Sequence, residues 1–135
     1  MAVIGFNFTK MSAEKKGALK GEIKVSNTFT IKDVIEAKLE LGKTKKQSGL
    51  RYSFEFITTY SPNMGSISLA GDVVDMLDNK DVQAILKEWK DNKKLDDQKT
   101  LGVYNTALNK CSIQVIFISR EMGLPLPIPL LRKGG

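Results

Sequence analysis

The chain has 135 residues, 41% hydrophobic and 27% charged, the balance of one soluble globular domain spanning residues 1–135. Lys and Arg number 21 against 15 Asp and Glu, giving a formal charge of +6; there is no His and one Cys, Cys111. Without His and with one thiol, no Cys/His zinc site, no Ser-His-Asp or Cys-His nucleophile and no intramolecular disulfide can be assembled, which excludes much enzyme chemistry.

Residues 1–10 lack a basic region followed by an unbroken apolar stretch, and no run reaches the ~20 apolar residues that span a bilayer. The expectation is a cytoplasmic protein with no membrane partner. Ile4, Phe6 and Phe8 alternate with Gly5, Asn7 and Thr9, the pattern of a half-buried strand. Residues 10–22 are rich in Lys, Gly and Ser and predict a loop or crossover. Ile23, Val25, Phe29 and Ile31 resume the alternation; Ile35, Ala37, Leu39 and Leu41 extend it. The phase slips by one residue near Asp33, which a β-bulge or a break into two strands absorbs. A helix over 31–41 is the rival reading, since Ile31, Val34, Ile35 and Leu39 also fit its spacing.

Residues 42–49 read as a basic turn carrying Lys43, Lys45 and Lys46. Leu50, Tyr52, Phe54, Phe56, Thr58 and Tyr60 then alternate with Arg51, Ser53, Glu55, Ile57 and Thr59, the clearest strand in the chain. Residues 61–65, Ser-Pro-Asn-Met-Gly, form a turn, and Ile67, Leu69, Gly71 and Val73 return as the second arm of a hairpin. From Asp78, a plausible N-cap, the period becomes that of a helix: Val82, Ile85, Leu86 and Trp89 form one stripe. After a polar loop over 91–99, a second helix carries Leu101, Tyr104, Leu108, Cys111, Val115, Ile118 and Met122, with Gly123 as its C-terminal cap. Residues 124–131, Leu-Pro-Leu-Pro-Ile-Pro-Leu-Leu, have Pro at alternate positions and predict an extended, polyproline-like tail. Strands first and helices last argue for an α+β fold: a four-stranded antiparallel sheet, with an additional strand if the slip near Asp33 breaks the second one, and two C-terminal helices on one face.

Several phrases resemble the SecB family of export chaperones. The hairpin Phe54-Glu55-Phe56 … Gly65-Ser66-Ile67-Ser68-Leu69-Ala70-Gly71 is similar to that family's third and fourth strands. The long helix running into Arg120-Glu121-Met122-Gly123-Leu124-Pro125-Leu126-Pro127 is similar to its helix-to-proline ending, and Phe8-Thr9-Lys10-Met11-Ser12 loosely resembles the end of its first strand. The resemblance implies a crossover after the first strand, a dimer or tetramer, and binding of unfolded polypeptide. Export members are acidic where they dock their motor ATPase, whereas this chain is basic. It looks more like a distant relative, such as the uncharacterised archaeal proteins of SecB-like fold.

Candidate sites follow. Phe6, Phe8, Met11, Leu19, Tyr52 and Tyr60 are the candidates for an apolar groove that takes peptide, Phe54 and Phe56 being expected in the sheet core. Val103, Ile113, Ile116 and Phe117 lie off the main stripe of the second helix; they predict a surface for a second copy, or a central helix covered by residues 124–131. The lysines at 15, 16 and 20 and at 43, 45 and 46 are candidate phosphate contacts, but Arg is scarce and no nucleic-acid motif is present. Asp72 with Asp75, Asp78 with Asp81, and the adjacent Asp96 and Asp97 place carboxylates close in sequence where a hard cation could bind, a pocket gathering Asp72, Asp75 and Asp78 being the arrangement a metal-dependent enzyme would need; Cys111 falls on the apolar stripe. The reading is a non-enzymatic homo-oligomer that binds non-native polypeptide clients and needs no cofactor. The alternative is a basic nucleic-acid-binding protein, and the least favoured reading is a metal-dependent enzyme.

Overall fold

The computed structural model describes residues 2–17, 21–41 and 45–127. The groove candidate Leu19, the basic-loop residues Lys20 and Lys43, and the end of the proline tail lie outside the described residues. Four strands and two helices follow in order: β1 (Ala2–Lys15), β2 (Lys24–Leu41), β3 (Lys45–Ser61), β4 (Gly65–Met76), α1 (Asn79–Asn92) and α2 (Leu101–Glu121). The strands form one antiparallel sheet in the order β1-β4-β3-β2, as the alternation predicts. β1 crosses over to the far edge as β2, so the β3–β4 hairpin occupies the centre.

The strand reading of 31–41 holds: β2 is continuous, and its slip is a bulge between Ile31 and Asp33. The loop reading of 10–22 is corrected. β1 continues to Lys15 because β4 begins at Gly65, and its backbone groups from Gly65 to Ala70 pair with Lys15 to Lys10. An edge strand open to water tolerates the Lys- and Ser-rich composition that argued for a loop. Two bulges, between Val3 and Gly5 and between Phe8 and Lys10, break the simple alternation there. Ile4 is therefore exposed, and Val3, Phe6 and Phe8 turn toward the helices. The basic turn is shorter than 42–49, since Lys45 to Gly49 already pair with β2 as part of β3.

One face of the sheet is sealed by the helices. Leu50, Tyr52, Phe54, Phe56, Thr58 and Tyr60 of β3 are buried, as are Ile67, Leu69 and Val73 of β4. Gly71 pairs with both Phe54 and Phe8 across its two neighbouring strands. A Cβ at Gly71 would collide with the Asn7 carbonyl oxygen and come within 2.9 Å of the Phe54 ring. The missing side chain is what lets that ring lie across β4 toward β1.

The second helix packs on the core with the face its apolar stripe predicts: Leu108, Cys111 and Val115 are buried, and Tyr104, Ile118 and Met122 pack against the core. Val103, Ala107, Leu108, Cys111, Ser112, Val115 and Ser119 are buried, while Leu101 is exposed. Ala107, Ser112 and Ser119 widen the buried face beyond the apolar stripe, and the larger Ile113 and Phe117 are left outside. Burial pushes the Cys111 thiol up to about 12, so it is an inert core group. Gly123, at φ 66°, ends α2. Its N–H donates to the Arg120 carbonyl and the Leu124 N–H to the Ser119 carbonyl at 2.8 Å, the paired bonds of a Schellman ending. No helix among the described residues is long and apolar enough to cross a membrane.

Candidate functional site

Aromatic side chains run in a row across the sealed face. Phe54 stands at the middle, with Phe6 of β1 stacked on one side at 5.5 Å and Phe29 of β2 stacked on the other at 5.6 Å, centroid to centroid. Phe8 completes the β1 side, edge-on to Phe6 at 4.8 Å. Tyr104 of α2 completes the β2 side, 5.4 Å from Phe29. Phe54 is 2% exposed, whereas Phe6, Phe8, Phe29 and Tyr104 are only partly buried. The helices cover the middle of the sheet and leave both ends of the row open to water.

Each open end is a cleft. The β1 cleft, about 470 Å³, is lined by Phe6, Asn7, Phe8, Lys110, Ile113 and Gln114. Lys110 places its Nζ 6.0 Å from the Phe6 ring centroid. The β2 cleft, about 460 Å³, is bounded by Phe29, Ile31 and Lys32 of β2 and by Trp89, Lys93, Leu95 and Tyr104. Here Lys93 places its Nζ 5.1 Å from the Trp89 ring centroid. Lys93 holds φ 54° and its N–H donates to the Trp89 carbonyl, ending α1 at the cleft's rim. The two clefts share one construction: edge-strand aromatics at the base, helix apolar groups as a wall, and a lysine over a ring at the lip.

The candidate residues divide between these places. Phe6 and Phe8 line the β1 cleft, and Met11, opposite Leu69 in the register, is 46% exposed further along β1. Tyr52 and Tyr60 are corrected to core residues: both are fully buried, because β3 lies between β4 and β2 under the helices. The Tyr60 hydroxyl donates to the Pro125 carbonyl at 2.7 Å and pins the start of the tail. Val103 is likewise corrected to core, on the small-residue face of α2. On the opposite side of that helix Ile113 is 68% exposed and Phe117 59%, with Ile116 half-buried beside them. Trp89, Leu95 and Tyr104 were not singled out by the sequence pattern as site residues. Trp89 closes the α1 stripe, and its reading as plain core is natural; the lysine one turn on is the one sign of an opening.

The three carboxylates that a metal-dependent enzyme would need to gather do not converge. Asp72 accepts from Ser53 Oγ at 3.0 Å on the open face, Asp75 is buried on the helix side, and Asp78 is exposed at the start of α1. Among the described residues, no three His, Cys, Asp or Glu side chains gather as metal ligands. Burial raises the Asp75 carboxyl above the ordinary carboxylate range, and the Met76 N–H that bonds to it offsets only part of the rise. Burial also raises the Tyr52 phenol, helped by the charge of Asp75 and by Tyr104.

No protein-family model matches the chain, and no curated protein sequence matches it. Among solved structures it is similar to the Rv1957 SecB-like chaperone of Mycobacterium tuberculosis, solved in complex with a ChAD peptide from the Rv1956 HigA1 antitoxin. The two share 11% of aligned residues at a TM-score of 0.50, over 96% of this chain and 88% of that one. The sheet order, the single helical face and this similarity together give the chain an α+β fold of SecB-like type.

Proposed function

We propose that this chain binds non-native or extended polypeptide, burying client apolar side chains in the β1 and β2 clefts without chemistry on the client and without a nucleotide. The observation that carries the reading is the pair of water-open aromatic clefts flanking a sealed core. Apolar surface that a protein leaves accessible is worth about 25 cal/mol per Å² when a partner covers it, before the costs of association. The lysine at each lip adds attraction for client carbonyls and carboxylates without a fixed geometry, which suits varied sequences. The peptide bound to the Rv1957 chaperone supports a polypeptide ligand for this fold. The domain takes in residues 1–135, and copies assemble as a dimer or tetramer using the exposed Phe117 with Ile116, while Ile113 beside them faces the β1 cleft and stays with the client site.

Stacking of nucleic-acid bases needs free ring faces. Phe29 already stacks on Phe54 and tilts against Tyr104, and Trp89 carries Lys93, which favours peptide over the nucleic-acid alternative. The test is suppression of aggregation of a chemically denatured client at rising salt. Protection that survives moderate salt supports the reading. Absence of protection, with nucleic-acid binding that weakens steeply with salt, puts the alternative in its place. Light scattering at high concentration tests the assembly: a clean monomer removes it.

A further inference from the structure

The linings of the two clefts share a charge pattern. The β1 cleft holds Lys110, the β2 cleft holds Lys32 and Lys93, and neither lining includes an Asp or a Glu. The composition of the chain does not impose this, since 15 acidic residues stand against 21 basic ones. Another cavity, about 370 Å³ between α1 and the loop after it, has the mixed lining that composition predicts: Glu88 and Asp96 beside Lys94 and Lys99. The sheet carboxylates level with the clefts are engaged elsewhere. Asp72, opposite Asn7 in the register, accepts from Ser53 on the open face. Glu55, opposite Thr30, pairs with Lys32 at 3.5 Å.

The β1 cleft is also polarised along its length. α2 runs the same way as β1: Lys110 stands over Phe6, and at the far end a Cβ on Gly123 would meet the Lys15 amine at 3.2 Å. Ile113 and Gln114 come one turn after Lys110 and so lie toward Phe8. The cation is therefore at the Phe6 end, and the exposed apolar wall, Ile113, is at the Phe8 end. Alternate side chains of an extended segment fall ~6.6 Å apart, close to the ~5.4 Å of one helical turn. A segment with an apolar side chain against Phe8 and Ile113 thus brings the side chain two residues along to Lys110.

We infer that the clefts select extended segments whose apolar residues are flanked by Asp or Glu and reject those flanked by Lys or Arg, with Lys110 and Lys93 as the selecting residues. This rests on the reading of the clefts as polypeptide sites and adds to it the class of polypeptide. Apolar burial supplies most of the affinity, and charge sets the choice, because like charges repel at the range where opposite ones attract. A flexible ammonium follows a carboxylate through several positions, so the choice is by class rather than by exact sequence.

The experiment uses the full chain and three dye-labelled, unstructured peptides. Each has three apolar residues at alternate positions, with Glu, Gln or Lys at the next alternate position on either side. Affinity is read by fluorescence anisotropy at low and moderate salt. The Glu peptide should bind about tenfold more tightly than the Lys peptide at low salt, with the Gln peptide between them and the gap narrowing as salt rises. In a Lys93→Gln, Lys110→Gln variant the gap should close, and in a Lys93→Glu, Lys110→Glu variant the order should reverse. Both lysines are exposed, and an unchanged affinity of the variants for the Gln peptide shows the clefts intact. Equal binding of the Glu and Lys peptides by the parent, or tighter binding of the Lys peptide, overturns the selection. A preference that persists undiminished in the Gln variant overturns it also, by assigning it to the net charge of the chain. Failure of all three peptides to bind overturns the polypeptide-binding function itself.

Discussion

The aromatics of the central hairpin and those of the flanking strands are the same residue types at similar spacing, and they meet opposite fates. Tyr52, Phe54, Phe56 and Tyr60 on β3 are sealed, while Phe6 and Phe8 on β1 and Phe29 on β2 are half-open to water. The difference lies in the sheet order. A strand with two neighbours under two helices has its whole face covered; a strand with one neighbour is covered on one flank only. An aromatic there closes the core with one ring face and keeps the remaining surface open, which in the proposed function is what a client covers. The proposed function thereby gives stability and binding to different members of one row.

Substitutions at the two kinds of position should separate cleanly. Phe54→Ala removes the ring on which both flanks stack and should cost about 3–5 kcal/mol in chemical denaturation. Phe29→Ala should cost about 1 kcal/mol, half of what full burial of such a side chain is worth. Equal losses at the two sites would erase the distinction. Gly71→Ala comes next, at about 1–3 kcal/mol, since the new methyl overpacks Phe54 and the β1 backbone. A neutral outcome at Gly71 would mean that the ring has room to move.

A double Phe8→Ser, Phe29→Ser variant, one change in each cleft, should lower affinity for a denatured client about tenfold, ~1.4 kcal/mol, in titration calorimetry. A Tyr52→Phe variant, altered only in the sealed region and losing a hydroxyl that bonds to nothing, should bind as the parent does. The finest test concerns Asp75, a carboxyl inside the covered face. Its folded-state pKa is raised above the unfolded value of about 3.9, so the folded chain holds the proton more tightly. Stability from this group is complete below the unfolded value and is lost as pH rises through the raised folded one. Asp75→Asn should therefore raise the thermal midpoint at neutral pH, with the gain shrinking as acid protonates the parent. A gain that persists in acid would show that charge is not its source.

Much of the fold was legible in the residues. Alternation located β3 and β4, and the slip near Asp33 marked the bulge of β2, because side-chain period records which face is covered. The end of β1 was not legible: what extends it is the unpaired backbone of β4, and backbone leaves no pattern in side chains. The site was readable only in part. Phe6, Phe8 and Met11 fell on the open side, whereas Tyr52, Tyr60 and Val103 proved to be core. Period tells a strand's faces and says nothing of its rank in the sheet. On α2 the apolar stripe marked the buried side, and what it left out were Val103 and the small residues Ala107, Ser112 and Ser119, buried at its margins where few large apolar groups signal a covered face.

The most direct test of the division is backbone NMR of the labelled chain titrated with an unfolded client. The account predicts shifts concentrated at Phe6, Phe8, Lys110 and Ile113 and at Phe29, Ile31, Trp89 and Lys93, with the open face of the sheet silent. Shifts centred instead on open-face residues such as Ser53, Ser68 and Asp72, with both clefts unperturbed, would contradict it.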